Sequence, residues 1–309
     1  MTRTWSRLRR AVAARGFTPA TWIPAASEGR AEEATIREAR LVEGLPIGGR
    51  AVGVAEPWPG RVAFLDGIQQ YEVMAYAGAS PLVVAEIAAA VMERRDRQLR
   101  VARVTRRRLV LARPSVLADL GDTLTEHVAI ELPEVGPSHP VRDYQLARRA
   151  IDAARGRLEV EVGSGYRRES DAWMIVDGSL SESPNWSNDP RMIGVVKSHA
   201  TLPFSGEALE QYLRLPQGWR SPVFEPAGRQ LAPVYSWALR LWPWEGEDLL
   251  HGLIRVETAA SAATLENADR LSRWLLAERT PVSTPDPRWD RLLYGIHAVE
   301  QYLRASALP

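Results

Sequence analysis

Two aspartates each close an apolar run and are each followed by glycine: Asp66 after residues 61–65 (RVAFL), and Asp177 after residues 172–176 (AWMIV). A carboxylate at the carboxyl end of a buried strand lies on the rim of an open α/β sheet, where ligands of such sheets bind. If the two strands are neighbours, the like charges repel unless a cation sits between them, and a hard divalent ion held by oxygen ligands removes that cost. Mn²⁺ or Mg²⁺ is the natural candidate. Such an ion stabilises the charge that develops in phosphodiester cleavage and activates water, a chemistry that needs two to four carboxylates and no Ser–His–Asp arrangement. The competing reading of an isolated Asp-Gly pair is a tight turn; the repetition of the whole pattern argues against it.

Lys197 belongs to the same constellation. It is the single lysine among 39 basic residues and follows an apolar run, 193–196 (IGVV). A chain that uses arginine everywhere else and keeps one compact ammonium there points to a phosphate contact. His199, two residues on and on the same strand face, reads as structural or substrate-facing. His297 is a candidate for proton transfer or for orienting water, because its side chain titrates closest to neutrality, and Glu300 lies one helical turn later. Tyr235 lies near Trp237, Trp242 and Trp244 and reads first as part of an aromatic cluster.

The elements that must position these residues follow from periodicity. Residues 61–66 and 71–77 read as a hairpin with Asp66 at its tip, and 84–92 as an amphipathic helix with apolar residues at i, i+3, i+4, i+7 and i+8. Residues 101–112 form a strand carrying Arg106, Arg107 and Arg108 at a basic edge that faces phosphate, 131–140 a proline-rich loop, and 141–156 a helix. Further strands are expected at 172–177, 192–198, 230–242 and 249–256, and closing helices at 264–277 and 287–305. Strands mixed with helices, several paired as hairpins, define an α/β fold with a mixed sheet.

Composition excludes several classes. The 309 residues carry a net charge of +1, so nucleic-acid contact would come from local basic clusters rather than a whole-molecule field. With no cysteine there is no thiol nucleophile and no cysteine-ligated metal; the five histidines form no H-E-x-x-H pattern, so a metal would be oxygen-ligated. Neither a P-loop nor a G-x-G-x-x-G fingerprint occurs. Glu86 and Glu93 interrupt the best apolar run, which predicts a soluble, cytoplasmic protein without a membrane segment. The first 27 residues carry arginine and no acid, with Trp5, Leu8 and Val12 at helical spacing, so residues 1–55 are expected to dock a partner and 56–309 to form the main domain.

Residues 176–180 (VDGSL) followed by 193–198 (IGVVKS) resemble the central signature of NurA nucleases, and 64–67 (FLDG) resembles their first acidic motif, in the right order. Residues 235–241, 252–257 and 294–300 resemble the family's late aromatic strand, the strand after it and its closing helix. The resemblance spans residue 60 to the end. It implies an RNase H-like core flanked by helices, with further helical elements at both ends of the chain. It also implies a Mn²⁺-dependent DNA nuclease, a homodimer, and a HerA-type hexameric ATPase translocase as partner in DNA end resection or phage defence. The family places a glutamate on the helix before the second acidic strand, which puts Glu159 or Glu161 beside Asp66 and Asp177 as a metal ligand, with Lys197, His297 and Tyr235 as further catalytic candidates. The sequence departs from the family at Ile68, where a serine usually follows Asp-Gly, and in the order of Ile296, His297 and Ala298. The first departure keeps a second reading open, a catalytically weak subunit that binds DNA or caps a motor.

Overall fold

The computed structural model describes residues 5–19, 35–95, 98–227, 232–245, 247–281, 284, 286 and 288–306. Its frame is a large mixed sheet. Three long antiparallel strands come first, β1 (Val62–Ala77), β2 (Ser80–Arg95) and β3 (Gln98–Ala112), followed by the short β4 (Val128–Glu131) parallel to β3. A 30-residue helix then leads to β5 (Trp173–Asp177), which lies parallel to β1, and β6 (Met192–Val196) lies parallel to β5. Two antiparallel strands, β7 (Val234–Arg240) and β8 (Leu253–Ala259), extend the sheet, giving the order β7-β8-β6-β5-β1-β2-β3-β4. An antiparallel meander whose first strand pairs in parallel with β5, which pairs in parallel with β6, is the order of an RNase H-like core, as expected.

Both faces of the sheet are covered. The long helix, α2 (Pro140–Glu169), begins with proline at its first position and a His139 ring that accepts from the Arg142 amide. Its buried stripe of Tyr144, Ala147, Ile151, Leu158, Val162 and Tyr166 packs on Ala63, Leu65, Ile87, Val91 and Met174. On the opposite face α3 (Ala262–Ala277) and α4 (Tyr294–Ala305) cover Phe64, Ala88, Ile175, Val195, Trp237 and Val256 with Leu271, Leu275, Ile296, Val299 and Leu303. α4 sits close enough to β1 that a Cβ at Gly295 would lie 2.4 Å from the Phe64 ring.

Several expectations need correction. Residues 84–92 form part of β2, not a helix. A strand buried on both faces loses its alternation, and a continuous apolar run rich in alanine then satisfies a helical template equally well. Asp66 is not at a hairpin tip: β1 runs on through it for another eleven residues, and the turn comes at Gly78, whose φ of +59° suits glycine. The helix expected to end at 156 continues to Glu169. The last helix starts at Tyr294, after a short 3₁₀ turn at Trp289–Arg291. Arg106 pairs with Glu86 and Arg107 with Glu161, so the basic edge of β3 is largely engaged within the chain.

The amino-terminal segment folds onto this frame. Helix α1 (Ser6–Ala14) buries Leu8 and Val12, with Trp5 before it, among Met74, Leu82, Val110 and Leu117 at the far end of the meander. Residues Arg40–Leu41 pair with Phe224–Glu225, and Arg50–Ala51 with Trp219–Arg220. Arg3 and residues 20–27 lie outside the described residues.

Candidate active site

β1 and β5 run in parallel with Phe64 opposite Ile175 and Leu65 opposite Val176, so the next residues on the two strands are Asp66 and Asp177. Phe64, Ile175 and Val195 share one face of the sheet; two residues further along each chain, Asp66, Asp177 and Lys197 share it too. The Lys197 ammonium donates to Asp177 Oδ2 at 2.7 Å. The fourth member arrives from the other face. Glu159 on α2 points at Gly67, where a Cβ would lie 2.2 Å from Glu159 Oε1. The glycine is therefore not a turn residue; its missing side chain is the space through which Glu159 reaches Asp66.

Asp66 is only 7% exposed. Burial, foremost, and the adjacent Asp177 push its carboxyl well above the usual carboxylate range; Glu159 adds to the rise, while Lys197 and the Gly67 N–H, 2.7 Å from Asp66 Oδ1, oppose it. A buried acid facing two other carboxylates is poised for a cation.

The loop after Asp177 is fixed by its own motif. Gly178 takes φ +133°, and Leu180 is fully buried. The Ser179 hydroxyl and the Leu180 amide both donate to Glu257 Oε2, at 2.7 and 2.9 Å. Gly194 on β6 leaves room for this loop, because a Cβ there would come within 2.7 Å of the Gly178 carbonyl oxygen and 3.1 Å of Leu180 Cγ. Residues 176–180 and 193–197 thus form one unit: Gly194 makes room for the loop, and Gly178 supplies the backbone conformation that turns it. Sequence reading passed over Glu257; a lone acid in the apolar strand 253–259 was its signal.

The remaining candidates separate. Glu161, exposed on α2, is ion-paired with Arg107, so Glu159 and not Glu161 joins the two aspartates. Tyr235 is half-buried on β7 and packs against the core containing Trp237. His199 is half-buried, its Nε2 3.0 Å from the Leu253 carbonyl oxygen, and desolvation brings its pKa down to about 4, so it is neutral near pH 7. His297 lies with Asp286 and Glu300, their nearest ligand-type atoms all within 4.8 Å. Arg288 donates to Asp286 at 2.9 Å and to Glu300 at 3.1 Å, and Arg304 to Glu300 at 2.8 Å. The Arg288 hydrogen bond takes Asp286 down to about 2; burial alone would raise Glu300, but Arg304 and Arg288 together hold it below its usual value. These arginines already satisfy the carboxylates that a cation would need.

An RNase H-like sheet with a carboxylate trio at its central parallel pair defines the class of fold. No protein-family model and no curated protein matches the sequence. Among solved structures, the NurA nuclease from Sulfolobus solfataricus is similar, with a TM-score of 0.50 at 12% identity, covering 82% of this chain and 81% of that one. The fold is therefore NurA-like. The catalytic domain of human endonuclease V aligns over 99% of this chain and 98% of its own at 15% identity, but its TM-score of 0.31 carries no weight.

Proposed function

We propose that this protein is a divalent-metal-dependent deoxyribonuclease centred on Asp66, Asp177 and Glu159. The observation that carries this reading is the buried Asp66, raised by its burial and by the two carboxylates facing it. The donor set is all oxygen and partly buried, which fits Mn²⁺ or Mg²⁺ and not a soft metal. A bound ion would supply charge stabilisation for displacement at phosphorus and a more acidic water. The chain's own residues do the rest. Asp66, Asp177 and Glu159 would hold the ion, Lys197 restrains Asp177 and would offer an ammonium to the substrate phosphate, and the Glu257-anchored loop keeps Asp177 in place.

The NurA-like fold and motifs also support a HerA-type hexameric ATPase as partner, a homodimer, and a cytoplasmic role in end resection or phage defence. Residues 1–55 would contribute to docking. Since α1 spends its apolar face on the chain's own sheet, the contact would use its exposed Arg7, Arg9 and Arg10. The alternative reading, a catalytically weak adaptor, is motivated by Ile68 and by the arginine-rich amino terminus, and only the first bears on the centre. The Ile68 side chain is buried in the core beneath α4 and leaves the four-residue cluster intact.

The test is cleavage of end-labelled linear single- and double-stranded DNA with Mn²⁺, alone and with the translocase. Asp177→Ala should lose at least about a thousandfold in rate, the scale seen when a central catalytic group is removed; full activity in that variant would overturn the assignment.

A further inference from the structure

Beyond the three carboxylates and Lys197, Arg155 contacts the centre. Arg155 donates from Nη1 to Glu159 Oε1, the oxygen that fills the space over Gly67, and from Nε to Gln69 Oε1 at 3.2 Å. Gln69 in turn donates from Nε2 to Asp152 Oδ1 at 2.6 Å. Asp152, Arg155 and Glu159 stand at i, i+3 and i+7 on one face of α2, and Gln69 lies two residues after Gly67 on the same face of β1. The guanidinium is thus aimed by a strand residue that is itself aimed by the helix.

An ordinary surface pair between residues four apart on a helix does not look like this. The basic residue is on the amino-terminal side of the acid, the weaker orientation for helix stabilisation. Glu159 is only 11% exposed at its side chain, and its carboxylate reaches across the strand toward Asp66. The arrangement parallels Lys197 on Asp177: each outer carboxylate is held by its own cation, one from β6 and one from α2.

We propose that Arg155, aimed by Gln69 and Asp152, is a positioning residue that holds the Glu159 carboxylate at the metal centre. The inference rests on the metal-centre reading above. Polar groups that orient a ligating side chain are worth about 10- to 100-fold in metal affinity when removed.

The experiment measures Mn²⁺ binding directly, by the paramagnetic resonance signal of free Mn²⁺ titrated against the full-length protein without DNA. Wild type should bind and Asp177→Ala should not. Arg155→Met should bind about tenfold more weakly, Gln69→Ala should shift in the same direction, and Arg155→Lys should recover part of the loss. The double variant Arg155→Met/Glu159→Gln should be no weaker than Glu159→Gln alone, because both changes remove one unit. Wild-type affinity in Arg155→Met, or additive losses in the double variant, would overturn the positioning role. Equal binding by wild type and Asp177→Ala would instead sink the metal-centre reading itself.

Discussion

Two carboxylate clusters on this molecule contain much the same residue types and behave oppositely. At Asp286 and Glu300, Arg288 and Arg304 are set directly against the acids, both acids are held below their usual pKa, and the charges cancel within the fold. At Asp66, carboxylate faces carboxylate across adjacent strands, the cations sit on the outer members, and the central acid is pushed up by burial and by its neighbours. The first cluster is a satisfied ion-pair network. The second is electrostatically unsatisfied until something positive arrives, which is how a structural network and a functional centre differ. Proximity alone would have favoured the first, whose acids are joined by His297.

Gly67→Ala breaks the contrast at its sharpest point. The added methyl displaces the flexible end of Glu159 rather than backbone, so cleavage should fall by roughly a hundredfold, the upper end for disturbing a ligating group, while the melting temperature stays close to that of wild type. A large loss of stability with cleavage retained would mean that Glu159 is merely a packing residue.

Glu300→Gln should give the opposite result. It strips the charge shared by Arg288 and Arg304 and should destabilise the protein by roughly 1–2 kcal/mol, a modest figure because both arginines are about half exposed and solvent takes up their charge. The Mn²⁺-dependent rate should stay within about threefold of wild type, since the rate effects expected of the centre are far larger. Loss of cleavage without loss of stability would move the active centre to this cluster and restore His297 as catalytic.

The smallest effect concerns His199. Its folded pKa of about 4 lies below the ordinary value of 6.5, so the unfolded chain takes up the proton first and stability is lost as pH falls from about 6.5 toward 4. His199→Asn should flatten that part of the melting-temperature profile. An unchanged profile would show that His199 contributes nothing to acid sensitivity.

Legibility in the sequence followed the physics of each segment. The two aspartates and Lys197 were readable because apolar runs ending in a charge, and a lone lysine, are visible without a fold. The role of Gly67 was not, because the atom that needs the space belongs to a residue 92 positions later on another element. Residues 84–92 misled because burial on both faces erased the alternation of the strand. Between Glu159 and Glu161 the sequence had no means to choose. Two residues along a helix turn the side chain by roughly 200°, and only the placement of α2 shows which of them reaches Gly67 on β1 and which reaches Arg107 on β3. Glu257 was marked only by being a lone acid in an apolar strand, and Gln69 and Arg155 act through contacts that no local pattern announces.

Asp66→Asn tests the central claim most directly, through melting temperature and Mn²⁺-dependent DNA cleavage measured on the same preparation. An acid whose folded pKa is raised destabilises the fold once it ionises, so stability falls as pH rises through that pKa. A neutral amide removes the penalty. The account predicts a variant that melts a few degrees higher than wild type in metal-free buffer at neutral pH and no longer cleaves DNA. A variant that melts lower and cleaves as well as wild type would contradict it.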